Sequence, residues 1–181
     1  MLNQKQQKQL LKLAKDTLRV FIRTGETIDF KTSDEALKER AGVFVSIYKK
    51  GNLRGCIGQL IPSEKPLWEV VRDMTIAASC EDSRFDPVDK KELKDITFEI
   101  SVLTQPEKVV HWTDIKLGEH GVIAQSGAKA GVFLPQVAEK TGWNLEEFLA
   151  HLCVEKAGLE ADAYKKGGQT DLFVFTAQVI E

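Results

Sequence analysis

The stretch from Val43 to Gly58 constrains the fold more than any other. Val43, Val45 and Ile47 alternate with Phe44, Ser46 and Tyr48, the two-residue period of a strand buried on one face. Lys50-Gly51-Asn52 supplies turn chemistry, and Leu53-Arg54-Gly55-Cys56-Ile57-Gly58 returns as a second extended run. Two runs joined this tightly pair antiparallel, because a parallel partner needs a crossover of a dozen or more residues. Ile96, Phe98, Ile100 and Val102 alternate with Thr97, Glu99 and Ser101 as a third strand, and Leu172–Ile180 reads as the last one.

Helices fill the intervals without a regular βαβ repeat. Leu10, Leu11, Ala14, Leu18, Phe21 and Ile22 recur at three- and four-residue steps with Lys, Gln and Arg on the other face, and Gly25 stands where such a helix would end. Pro66 opens a second helix that buries Leu67, Val70, Val71, Met74, Ala77 and Ala78. Asp89 with Glu92 and Asn144 with Glu147 have capping-box spacing. The first predicts a helical turn at Lys90–Lys94. The second opens a helix through Phe148, Leu149 and Leu152 that Gly158 stops. Glycine-rich residues 111–131 read as hairpins, Val132–Leu134 as a brief strand, and Pro135 as the start of a helix carrying Val137 and Ala138. Lys165-Lys166-Gly167-Gly168 reads as a mobile loop before the last strand. The fold class that follows is α+β, an antiparallel sheet flanked by helices. No composition shift marks a linker, so one compact domain over residues 1–181 is expected, with room for a smaller lobe.

Composition then removes whole classes of function. The 25 basic and 27 acidic side chains leave a net charge of −2, and no stripe interleaves aromatic with basic residues; both argue against nucleic acid as a partner. Three cysteines cannot all pair with one another, which points to a reducing, cytoplasmic setting. No run of apolar residues is long enough for a signal peptide core or a membrane span. No Cys-x-x-Cys, His-x-x-x-His or phosphate-loop spacing occurs, so no metal and no cofactor is expected. Trp68, Trp112 and Trp143 share no spacing and read as core anchors.

Three stretches could carry chemistry. In a strictly alternating strand, Leu53, Gly55 and Ile57 face one side, while Arg54, Cys56 and Gly58 face the other. A guanidinium beside a thiol favours the nucleophilic thiolate, and the glycines would let a ligand approach the backbone. Equally, Cys56 reads as a small buried hydrophobe and the glycines as relief for a twisted hairpin. The loop Glu81–Pro87 holds three acids and an arginine; Asp82 could accept backbone N–H groups and orient Arg84, with Phe85 as anchor, or form only an ordinary turn. His120, beside Gly121, could serve as a base for Cys56 or merely bond its own loop.

Leu53-Arg54-Gly55-Cys56-Ile57-Gly58 resembles the hallmark of the AMMECR domain family, known in prokaryotes as AmmeMemoRadiSam system protein A. Further stretches agree in order: Gly42–Val45, Asp82–Pro87, Ser101–Glu107, His120-Gly121, Phe133–Ala138, Trp143, Cys153 and Lys156–Leu159. The resemblance covers nearly the whole chain. It implies an α+β fold of a larger and a smaller lobe, with the shared motifs near a cleft, and genomic company with a Memo-like protein and a radical-SAM protein. It implies no reaction. Ala130 stands where relatives often place an arginine, and Tyr164 where many carry tryptophan.

Three readings follow. The first is a cytoplasmic binding or accessory component that docks a Memo-like or radical-SAM partner, or a small anion, with Arg54, Gly55, Gly58, Asp82 and Arg84 at the contact; Arg54→Ala would then leave stability within about 0.5 kcal/mol. The alternative is an enzyme using Cys56 as nucleophile or redox thiol, with His120 or Asp82 moving a proton and Arg54 holding a small anionic substrate. Nucleic-acid binding comes third.

Overall fold

The computed structural model describes residues 1–165 and 169–181; Lys166, Gly167 and Gly168 of the expected loop lie outside them. The chain divides into two compact units, residues 1–103 with 178–181 and residues 104–177. Strands β1 (Gly42–Lys49), β2 (Asn52–Gln59), β3 (Ile96–Leu103) and β8 (Ala177–Ile180) form one sheet in the order β2-β1-β3-β8. Strands β4 (Glu107–Val109), β5 (Gly121–Ser126), β6 (Lys129–Phe133) and β7 (Asp171–Phe175) form the other in the order β4-β7-β5-β6. β1 runs antiparallel to β2 and β3, and β7 to β4 and β5. The α+β class stands, with two sheets where one was expected.

In the first unit, helix α1 (Gln4–Thr24) is capped by an Asn3/Gln6 box and ends at Gly25, whose φ of 74° is the left-handed cap that glycine adopts without strain. Its buried side is Leu10, Leu13, Ala14, Thr17 and Leu18; Leu11, Phe21 and Ile22 are only half-buried. Helix α2 (Leu67–Cys80) starts after Pro66, which takes the cap position rather than the first turn. Both helices pack on the face of the sheet carrying Val43, Val45 and Ile100, which share one core with Leu10, Leu13, Val70 and Val71. The Asp89/Glu92 box is formed, and opens a short helical turn over Lys90–Asp95.

In the second unit, helices α3 (Gln136–Thr141) and α4 (Leu145–His151) lie in the chain between β6 and β7, the latter helix opened by the Asn144/Glu147 box. A π-helical turn, Leu152–Ala157, continues α4 to Gly158. Phe133, Phe148, Leu149, Leu152 and Cys153 form the core, and Tyr164 meets Trp112 edge-on with ring centroids 5.4 Å apart.

The expected last strand is two. Leu172–Phe175 belongs to β7 and Ala177–Ile180 to β8, in different sheets. The break is Thr176, whose N–H donates to Thr104 Oγ1 at 2.9 Å and whose C=O accepts from the Thr104 N–H at 3.0 Å. With both backbone groups turned to Thr104, Thr176 cannot continue a ladder.

Candidate functional site

The hairpin turn is Lys50-Gly51, with φ of 50° and 81°, the paired positive values of a primed two-residue turn. Counted back from it, Tyr48 pairs with Leu53 but Ile47 pairs with Gly55, so Arg54 is the extra residue of a β-bulge. The bulge breaks the expected alternation. Leu53 joins Tyr48 on the outer face and is exposed, while Gly55 and Ile57 stay opposite Ile47 and Val45 on the core face. Cys56 and Gly58, opposite Ser46 and Phe44, lie on the outer face, and on β3 Glu99 lies opposite Ser46.

Arg54 is re-aimed by the bulge into a bed of acceptors. Its Nε donates to Glu92 Oε1 at 3.1 Å and its Nη2 to Glu92 Oε2 at 3.0 Å. Its Nη1 donates to the Asp86 carbonyl at 2.7 Å and its Nη2 to the Pro87 carbonyl at 3.2 Å. Four of five donors are therefore used, and the side chain is 16% exposed against 13% for Glu92. The Arg54 hydrogen bond, outweighing burial, holds the Glu92 carboxyl down to about 2, with the Asp89 N–H and Lys49 adding to the effect. The side chain read from sequence as an anion holder thus already holds a carboxylate of its own chain.

Asp82 and Arg84 are brought to Cys56 directly. The Cys56 N–H donates to Asp82 Oδ2 at 2.8 Å, and Arg84 Nη2 donates to the Cys56 carbonyl at 3.3 Å. Arg84 also clasps Asp82, Nε to Oδ1 at 2.8 Å and Nη2 to Oδ2 at 2.7 Å. β2 is an edge strand, so the acid–base pair occupies the place a neighbouring strand would take beside Cys56. The hydrogen bond from Arg84 overcomes burial and holds the buried Asp82 carboxyl well below the usual carboxylate range, while Asp82 raises the Arg84 guanidinium further. Arg84 remains 57% exposed, and among the described residues its Nη1 makes no hydrogen bond. The loop is anchored by Val88, buried and bonded through its N–H to the Ser79 carbonyl; Phe85, the expected anchor, is half-buried under the Arg84 guanidinium.

The two glycines have packing reasons. A methyl group on Gly55 would overlap the Ala78 carbonyl oxygen of α2, and one on Gly58 would overlap the Phe44 ring. Space that the sequence reading left for a ligand is filled by the chain itself.

What remains is the Cys56 thiol. It is half-buried and takes a hydrogen bond from Ser46 Oγ at 3.3 Å. Tyr48 shares its face, the phenol pushed up by burial and then by Glu99 and Cys56. Cys80 is exposed, and Cys153 is buried with its thiol pushed up by that burial. His120 belongs to the second unit, where its Nδ1 accepts the Lys116 N–H at 3.2 Å. Ser46 and Glu92 were missed from sequence: Ser46 follows from counting register through the bulge, and Glu92 lies 38 residues from Arg54 with no local signal. Among the described residues, no three His, Cys, Asp or Glu side chains gather to hold a metal ion, and no helix is long and apolar enough to cross a membrane.

Comparison with known proteins gives one consistent result. Residues 11–180 match the AMMECR1 family model. A protein of Methanococcoides burtonii is 39% identical over 186 residues, covering 100% of this chain and 91% of the relative. A protein of Methanothermobacter thermautotrophicus is 40% identical over 177 residues, covering 94% and 91%. The crystal structure of the uncharacterized protein PH0010 from Pyrococcus horikoshii superposes with a TM-score of 0.86 at 36% identity, covering 94% of this chain and 88% of that one.

Proposed function

The chain belongs to the AMMECR1 family, and from that premise we propose that it works as a cytosolic binding component, docking a protein partner on the outer face of β2 around Cys56. One observation carries this. Asp82 stays ionised and each of its oxygens accepts two hydrogen bonds, Oδ1 from the Arg84 N–H and Nε and Oδ2 from the Cys56 N–H and Arg84 Nη2, so it has no proton to give and its acceptor sites are already taken. Among the described residues, the Cys56 thiol's one hydrogen bond is from Ser46 Oγ. A fixed backbone with one polarisable sulfur, an exposed Leu53 and the outer edge of Arg84 suits recognition better than acid–base chemistry. The resemblance to the AmmeMemoRadiSam system makes a Memo-like protein and a radical-SAM protein the first partners to try.

Calorimetric titration of both purified partners tests it. At least one is expected to bind, with Kd raised about tenfold by Arg84→Ala and by Leu53→Glu, an outer-face change outside the Asp82–Arg84 hydrogen bonds. Failure of both partners to bind, or binding untouched by both substitutions, overturns the proposal. So does iodoacetamide labelling in which Cys56 outruns the exposed Cys80, since an activated thiol belongs to the enzyme reading.

A further inference from the structure

Helix α1 carries a second surface that the motif does not involve. Lys5, Lys8, Lys12, Lys15, Arg19 and Arg23 follow one another at three- or four-residue steps, and all six are exposed. At 3.6 residues per turn they fall within an arc of about 80°, and at 1.5 Å per residue they extend for about 27 Å. One acid, Asp16, lies among them, bonding Lys12 at 2.6 Å and Arg19 at 2.8 Å. Lys5, Lys8, Lys15 and Arg23 have no ion pair among the described residues. The small net charge of −2 hides this segregation: residues 1–24 hold six basic side chains and one acidic, leaving 19 basic and 26 acidic for the rest.

The arrangement works against the helix that bears it. Like charges at these spacings repel, and a first turn without an acid, with Lys5 in it, opposes the helix dipole. A solvated face needs no such pattern. The apolar side of α1 is buried in the first unit's core, which leaves nothing to insert into a lipid surface. The ridge is rich in lysine and has no aromatic anchor, the reverse of a protein–protein contact. A row of four lysine ammonium and two arginine guanidinium groups along one helix face matches the regular phosphates of a nucleic acid duplex.

We propose that the α1 ridge binds the sugar–phosphate backbone of duplex nucleic acid without regard to sequence. The net charge of the whole chain, which argued against this from composition, does not govern a contact made by one helix.

The test is fluorescence anisotropy of a labelled duplex of about 20 base pairs with the full chain, over about 20 to 200 mM KCl. Binding should weaken linearly in log–log form with a slope near −4, about −0.9 per phosphate contacted. The triple change Lys5→Gln, Lys8→Gln, Lys15→Gln should shallow that slope by about 2.7 and weaken low-salt binding at least about tenfold. Circular dichroism should be unchanged, because these side chains touch no core. Lys116→Gln with Lys140→Gln, in the second unit, should leave binding as it was. Four results each overturn the proposal: no binding at about 20 mM KCl, a triple variant that binds like the parent, control changes that weaken binding equally, or uptake by phosphatidylserine vesicles without uptake of the duplex.

Discussion

Replacing Arg54 with alanine separates a motif that holds the fold from one that holds a ligand. The guanidinium makes two bonds to Glu92 and one each to the Asp86 and Pro87 carbonyls. Removing one partner of a fully buried pair costs about 3–5 kcal/mol. Here Lys49 Nζ stays 2.7 Å from Glu92 Oε1 and still neutralises it, which lowers the expected loss. Two backbone acceptors losing a charged donor add about 1 kcal/mol each. The net expectation is a loss of about 2–3 kcal/mol at pH 7, read from urea denaturation, or about 4–12 °C in Tm for a chain of this length. Acid gives an independent check. Glu92 ionises at about 2 in the folded chain against 4.5 ordinarily, so its stabilisation is complete above about pH 4.5 and lost as pH falls towards 2. Without Arg54 the folded value rises, so the gap between parent and variant should close over that window. Asp82 titrates in both proteins and cancels in the difference. A loss within about 0.5 kcal/mol at pH 7, the range of an ordinary surface change, refutes the reasoning, as does a gap constant down to pH 2.

Two further outcomes follow from the same contacts. Gly58→Ala should destabilise the chain by about 1–3 kcal/mol, because its methyl meets both the Phe44 ring and the Val43 carbonyl oxygen; Phe44→Ala relieves only the first, so a double-mutant cycle should recover part of the loss, and strictly additive losses would mean that the ring is not an obstacle. Asp82→Asn should speed hydrogen exchange at the Cys56 amide by at least about tenfold, the carboxylate being its acceptor at 2.8 Å, and an unchanged rate would count against the strand-like role of the Asp82–Arg84 pair.

What was legible in the sequence was local. Gly25, Gly158, Asp89 with Glu92 and Asn144 with Glu147 end or open helices through bonds within a few residues, so spacing alone reveals them. The hairpin was legible because its turn and both strands are contiguous. The bulge was not. It consists in two strands counted against each other, and one extra residue turned Leu53 out and Arg54 towards Glu92. The split at Thr176 was hidden for the same reason, since its partner Thr104 lies 72 residues away. The glycines misdirect most: within the strand they look like openings, and only α2 and Phe44 show what fills them.

These long-range partners change what a recurring motif means. Arg54 fixes the loop through Glu92, Asp86 and Pro87; Gly55 admits α2; Gly58 admits Phe44; Ile57 packs with the core. Each of these residues would be required by the architecture alone, so their presence together does not locate a function. The Cys56 sulfur differs, because serine or alanine would fit the same backbone bonds to Asp82 and Arg84. The α1 cations differ in the opposite sense, since their order sets like charges side by side and, among the described residues, only Lys12 and Arg19 gain an ion pair in return, both with Asp16. Function is best sought where a side chain's structural use falls short of explaining its chemistry, and in this molecule that criterion picks out the thiol on β2 and the basic ridge on α1.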